Sequence, residues 1–96
     1  MQLSYQDGHQ EIILVDDLVE QYNLQDRKNG LTEVIIPEGV TVIGRGAFHN
    51  CGLTQINIPT GLTEISNSAF QYCNQLRYIV VDSDSEIDRV KGLLPQ

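Results

Sequence analysis

The chain has 96 residues, a mass of 10.8 kDa and a formal net charge of −7, which leaves room for one small domain. A hydrophobic fraction of 41% is too high for a disordered acidic tail. The excess of acidic side chains argues against nucleic acid and anionic lipid as partners, because such contacts need clustered lysine and arginine. No catalytic motif is visible, so we expect a protein that is not an enzyme and holds no cofactor and no metal.

The amino-terminal segment carries no export or membrane signal. Residues 1–8 lack the basic start and long apolar stretch of a secretory signal. The longest apolar run, Ile12 to Val15, is far shorter than the roughly 20 residues that span a bilayer. Two cysteines are too few for a disulfide-stapled small protein. The default expectation is therefore a cytoplasmic protein without membrane insertion.

Residues 1–30 are predicted to form an N-terminal cap of a hairpin, a short helix and a linker. Residues 3–14 read as two strands around an Asp7-Gly8 turn. A helix is predicted to begin at Asp17, because Glu20 three residues later resembles a capping box. Its apolar stripe would lie on the next segment of the fold and consists of Leu18, Val19 and Tyr22. A polar linker over residues 23–30 would then lead into the rest of the chain.

Residues 31–75 contain an internal repeat of 22 residues. Residues 31–52 read LTEVIIPEGVTVIGRGAFHNCG, and residues 53–75 read LTQINIPTGLTEISNSAFQYCNQ. Eight residues of the first copy recur 22 positions later: Leu31, Ile36, Pro37, Gly39, Ile43, Ala47, Phe48 and Cys51. A partial third copy covers residues 76–81 and departs from the pattern at Asp82, where proline is expected. Such a period predicts stacked structural units rather than an ordinary compact fold.

Each copy is predicted to form one strand followed by a turn. Leu-x-x-Ile-x-Ile-Pro places apolar residues on one face of a short strand, and the proline ends it. The Ala-Phe pair that follows would lie on a compact turn or short helix, with its ring filling the middle of the coil. One coil cannot bury its own apolar face, so equivalent residues are expected to stack at about 4.8 Å, the spacing of strands.

Residues 82–96 are predicted to form a C-terminal helical cap. Ser83 and Glu86 give a second capping-box signal. Apolar residues at helical spacing follow, and they are Ile87, Val90 and Leu94. Arg89 and Lys91 lie late in the helix, where basic side chains interact favourably with its dipole, and Pro95 ends it.

The repeat resembles the BspA-like leucine-rich repeat of bacterial and protozoan surface proteins and of some intracellular bacterial proteins. The resemblance rests on the pattern L-x-x-I-x-I-P-x-x-V/L-T-x-I-x-x-x-A-F-x-x-C and covers residues 31 to about 81. It implies an α/β repeat fold: a short right-handed leucine-rich-repeat solenoid with a concave parallel sheet, used mostly for protein–protein contact. About two and a half repeats are present, where family members often carry many.

Cys51 and Cys73, with His49 nearby, admit a metal, redox or nucleophile interpretation. Because the cysteines occupy equivalent repeat positions, packing of the coil explains them better, and we expect buried, inert thiols. Zinc would need four ligands at short local spacing. His9 and His49 are read as surface histidines without a special role.

Three acidic residues at alternate positions resemble the start of a calcium loop, and they are Asp82, Asp84 and Glu86. The sixth position is Ile87 instead of glycine, and the twelfth is Leu93 instead of glutamate. Helix capping and solvated acids explain this run better than calcium binding.

The strand positions between core residues are expected to point to the concave surface. They form two columns and make up the predicted partner-binding face: Glu33, Gln55 and Tyr78, and then Ile35, Asn57 and Val80. An isoleucine, a tyrosine and a valine on neighbouring strands would make a small mixed patch that fits a protein partner. The alternative is that isolated apolar residues are normal on protein surfaces.

These observations lead to two functional hypotheses. The first is a non-catalytic protein–protein interaction module, and the bacterial resemblance raises a role as an effector acting in or on a host cell. The second is a self-associating structural unit without a separate ligand, in which exposed strand edges pair. Acidic residues concentrate at the ends of the chain, with six and no basic residue among residues 1–26, so a basic partner should prefer the amino-terminal end.

Overall fold

Two β-sheets carry the fold in this computed structural model, which describes residues 1–94. The elements in chain order are β1 (Gln2–Tyr5), β2 (Gln10–Ile12), β3 (Leu18–Val19), α1 (Gln21–Leu24), β4 (Leu31–Ile35), β5 (Val42–Ile43), β6 (Gln55–Asn57), β7 (Glu64–Ile65), β8 (Tyr78–Val80), a 3₁₀ turn (Asp84–Glu86) and α2 (Ile87–Leu93). The larger sheet has the order β2-β1-β4-β6-β8, and the smaller has the order β3-β5-β7.

The repeated strands pair in parallel with the register that the 22-residue period predicts. In the larger sheet, Glu33 lies opposite Gln55, and Gln55 lies opposite Tyr78. In the smaller sheet, Ile43 lies opposite Ile65. Because each coil repeats the apolar positions of the one before, pairing in this register keeps every apolar side chain on the inner side of its sheet.

The core lies between the two sheets and is built from equivalent residues of successive coils. The fully or almost fully buried pairs are Leu31 with Leu53, Val34 with Ile56, Ile36 with Ile58, Val40 with Leu62, and Ala47 with Ala69. Phe48 is completely buried, and its ring stacks on that of Phe70 with centroids 5.7 Å apart. The Ala-Phe segments are turns, and the Phe48 amide donates to the Ala69 carbonyl at 2.8 Å. The predicted packing of the Ala-Phe pair in the interior is confirmed.

The N-terminal hairpin is confirmed, and it also joins the larger sheet. β1 pairs antiparallel with β2 across the turn, where Gly8 has a φ of 93° that favours glycine. On its other side β1 pairs antiparallel with β4, Leu3 lying opposite Val34. The hairpin therefore adds two strands beside the first repeat.

The predicted helix beginning at Asp17 is wrong over its first residues. Leu18 and Val19 form β3, which pairs in parallel with β5, and α1 covers only Gln21–Leu24. The Asp17 carbonyl accepts hydrogen bonds from the amides of Thr41 and Val42, so tertiary pairing outweighs the local helix signal. Val19 is fully buried. Tyr22, predicted to pack on the fold, is exposed.

The C-terminal segment forms a 3₁₀ turn and then α2, as the helical prediction requires from residue 87 onward. Val90 is the buried residue of α2. The Arg89 guanidinium donates to the carbonyls of Leu62 and Pro59, and it also forms an ion pair with Glu86 at 2.7 Å. Arg89 thus fastens α2 to the turn of the second repeat, a role more specific than the predicted interaction with the helix dipole. The predicted stop at Pro95 lies outside the described residues.

Candidate interaction surface

The side of the larger sheet that faces away from the core presents two rows of side chains. We call it the outer face and define it by ten residues. The first row is Ile12, Gln2, Ile35, Asn57 and Val80, and the second row is Gln10, Ser4, Glu33, Gln55 and Tyr78. The pairing of Ile35 with Asn57 continues the printed register of β4 and β6 by one residue. Each row crosses all five strands.

The six residues predicted for partner binding all lie on the outer face. Three of them are exposed apolar residues: Ile35 at 44%, Tyr78 at 62% and Val80 at 43%. Glu33, Gln55 and Asn57 are partly exposed. The repeat period therefore identified a set of residues that the sheet does bring together.

Ile12 is a member of the outer face that the sequence reasoning missed. It is 76% exposed on β2 and lies opposite Gln2, which in turn lies opposite Ile35. The hairpin had been interpreted only as a cap. The alternation of apolar and polar residues within it was a signal for a strand, but nothing local indicates that β1 attaches to β4.

Asn57 differs from its neighbours because its amide is bonded to the backbone. Its Oδ1 accepts from the Ile36 amide at 2.6 Å, and its Nδ2 donates to the Ile36 carbonyl at 3.0 Å. Pro37 and Pro59 end the two strands just beyond this point. The side chain of Asn57 therefore continues the strand pairing where the backbones diverge, and it holds the end of β4 against β6.

The comparisons with known proteins agree with this architecture. A family model for the BspA type leucine-rich repeat region matches residues 19–90 in six copies. The chain belongs to the BspA-type leucine-rich repeat family. Leucine-rich repeats generally act as protein-interaction modules, and the resemblance seen in the repeat is confirmed.

A solved structure also resembles this BspA-type chain. It is the crystal structure of a leucine-rich cell surface protein from Faecalibacterium prausnitzii, with 32% sequence identity and a TM-score of 0.60. The match covers 70% of the present chain and 17% of that chain, so the present chain corresponds to a small part of it. No curated protein matches the chain. Within residues 1–94, no helix is long and apolar enough to cross a membrane.

The two cysteines occupy the conserved-pattern position of the BspA-type repeat and take part in packing. Cys51 is buried, and burial raises the pKa of its thiol to about 11. Cys73 is partly exposed, its thiol donates to the Phe48 carbonyl at 2.7 Å, and burial raises its pKa as well. Both thiols are neutral at physiological pH, which is the opposite of what a nucleophile or metal ligand requires.

His49 does not pair with either thiol in the hydrogen bonds of the described residues. Its ring instead packs edge-on against Tyr72, with centroids 5.5 Å apart. Its carbonyl and that of Gly46 accept hydrogen bonds from the Lys28 ammonium at 3.2 and 3.0 Å. Lys28 thus joins the segment before the repeats to the turn of the first repeat.

The acidic run near the C-terminus is engaged in helix structure. Asp84 and Glu86 lie in the 3₁₀ turn, and Glu86 pairs with Arg89. In the part of the chain that the structure describes, no group of three or more histidine, cysteine, aspartate or glutamate residues is placed to hold a metal ion.

A second polar cluster lies where the hairpin meets the core. The Tyr5 hydroxyl donates to Glu11 at 2.5 Å, and Arg27 contacts the same carboxylate at 3.2 Å. Desolvation and the Glu11 carboxylate raise the pKa of Tyr5 to about 12. His9 stacks on the Tyr5 ring at 4.1 Å, and its hydrogen bonds lower the pKa of Asp7. These contacts close the hairpin end of the core.

Proposed function

We propose that the chain is a non-catalytic protein–protein interaction module that binds its partner on the outer face. The observation that carries the proposal is the adjacency of Ile35, Tyr78 and Val80, three exposed apolar side chains on one face of one sheet. Exposed apolar residues in a group indicate binding more strongly than single ones do. The family supports it, because leucine-rich repeats generally mediate protein contact.

The proposal includes the finer architecture expected from the sequence. Residues 31–81 would form a short right-handed solenoid whose concave side is the outer face. Residues 1–30 and 82–96 would be its two caps. The antiparallel attachment of β1 to β4 and the bonds from Arg89 to the second repeat support this assignment of the ends, because both attach terminal segments to the repeated coils.

Quantitative cross-linking in the native cell tests the binding face. The wild type is compared with the double variant Ile35→Ala and Tyr78→Ala, and Tyr22→Ala serves as a matched control because Tyr22 is an exposed apolar residue on α1. The double variant should capture at least ten-fold less of a specific partner, and the control should capture the wild-type amount. An unchanged set of partners with the double variant contradicts the proposal.

The proposal places the binding event at a bacterial surface or in contact with a host cell. It is supported only by the description of the Faecalibacterium prausnitzii structure as a cell surface protein, and it replaces the default expectation of a cytoplasmic chain. Protease digestion of intact cells tests it: a surface-displayed protein is degraded while cytoplasmic markers survive, and full protection rejects surface display.

Self-association is the second candidate function, and one observation favours it. β8 is the outermost strand of the larger sheet and pairs with β6 on one side. Such an edge offers backbone groups to a second chain. Light scattering over a concentration series separates the candidates, since a mass that stays monomeric at all concentrations rejects self-association.

A further inference from the structure

The pattern of side chains on the outer face indicates the conformation of a partner. In the first row, aliphatic and amide side chains alternate from strand to strand: Ile12, Gln2, Ile35, Asn57 and Val80. Successive aliphatic residues are separated by two strand spacings, which is about 9.6 Å. A partner that contacts all three must present an apolar side chain at about this interval along a line perpendicular to the strands.

Of the regular peptide conformations, polyproline II fits this interval best. It places every third residue on the same side at about 9.3 Å. An extended strand repeats its side at about 6.7 Å and misses the central aliphatic residue. An α-helix returns after seven residues at about 10.5 Å and is too long by about 2 Å over two intervals.

The amide side chains provide a second reason to favour polyproline II. A polyproline II backbone makes no internal hydrogen bonds, so its carbonyls need donors from the surface that binds it. Gln2 lies between the columns of Ile12 and Ile35, and Gln55 lies on the strand between β4 and β8. Among residues 1–94, neither glutamine amide donates a side-chain hydrogen bond that would occupy it. An α-helix satisfies its own backbone and would leave these amides unused.

The charge of the outer face adds one more requirement. Glu33 is its only residue charged at neutral pH, and it lies on the same strand as the central aliphatic residue, Ile35. A basic side chain next to the central apolar residue of the peptide would meet it. We infer that the outer face binds a proline-rich segment in the polyproline II conformation, with an apolar residue at every third position and a lysine or arginine near the middle. This inference rests on the proposed binding function of the outer face.

Peptide binding measured by fluorescence anisotropy tests the inference. The probe is a labelled peptide, Leu-Pro-Pro-Leu-Lys-Pro-Leu-Pro-Pro. The control has the same composition in the order Leu-Pro-Leu-Pro-Pro-Lys-Pro-Leu-Pro, which puts no two leucines in the required register. A third peptide is an amphipathic helix with leucine at every seventh position. The probe should bind at least ten-fold more tightly than either of the others.

Variants of the protein locate the contact. Ile35→Thr keeps a β-branched residue on β4 and should weaken binding of the probe about ten-fold, and Val80→Thr provides a second test if the first variant unfolds. Tyr22→Ser, remote from the outer face on α1, should leave binding unchanged. Glu33→Gln should weaken it about two-fold, with a smaller effect at high salt.

The outcomes separate this inference from the proposed function. If the helix binds more tightly and depends on Ile35, the inference is overturned and the binding face stands. If none of the three peptides binds, or if the probe binds Ile35→Thr as well as wild type, the inference is overturned, and the cross-linking experiment alone decides the proposed function.

Discussion

Replacement of Asn57 by alanine should destabilise the fold more than its partly exposed position implies. The change removes both hydrogen bonds to the backbone of Ile36, one accepted from the amide at 2.6 Å and one donated to the carbonyl at 3.0 Å. Each is worth about 1 kcal/mol, so the free energy of unfolding should fall by about 2 kcal/mol. For a domain of this size, that loss lowers the Tm by roughly 8–16 °C. Chemical and thermal unfolding followed by circular dichroism measure both quantities.

Gln55→Ala is the matched control for this prediction. Gln55 lies two residues earlier on β6, points to the same face and is also partly exposed. Its replacement should change the free energy of unfolding by less than about 0.5 kcal/mol. Equal effects of the two substitutions would refute the reasoning, because they would mean that the Asn57 amide contributes no more than an ordinary surface side chain.

Three further predictions concern other parts of the chain. Arg89→Met should detach α2, lowering the free energy of unfolding by about 2 kcal/mol and speeding hydrogen exchange in α2 before other elements; uniform exchange would contradict this. Tyr72 has a φ of 62°, and the equivalent residue of the first repeat is Asn50 at 54°, so Tyr72→Asn should raise the free energy of unfolding by about 0.5–1 kcal/mol, whereas a loss would show that its ring contact outweighs the strain. Because burial raises the pKa of Cys51 to about 11, stability should be constant below pH 9 and fall as the pH rises from 9 to 11, and a fall that persists in Cys51→Ala would assign it elsewhere.

The repeated part of the fold could be predicted from the sequence because the same residues recur at a fixed interval. Leu31 and Leu53, or Ile36 and Ile58, can share one environment only if successive coils stack, and that requirement fixes the register and the buried positions together. The same period placed Ile35 and Val80 on one face.

The unpredicted features depend on contacts between distant segments. Leu18 pairs with Val42, an interval of 24 residues that a search at the 22-residue period passes over, and its local sequence favours a helix. Ile12 joins the outer face only because β1 pairs with β4. Asn57 is read as a contact residue from its position, since its hydrogen bonds to Ile36 become visible only when the two strands are adjacent.

Side-chain hydrogen bonds that join residues 22 positions apart make the protein extensible. Thr54 donates to the Thr32 carbonyl, Thr63 donates to the Thr41 carbonyl, and Ser68 accepts from the Gly46 amide, each across one full coil. An inserted copy of residues 31–52 would present the same donors and acceptors to both neighbours. Protein engineers could therefore lengthen the sheet one 22-residue unit at a time and widen its outer face while leaving both ends of the molecule unchanged.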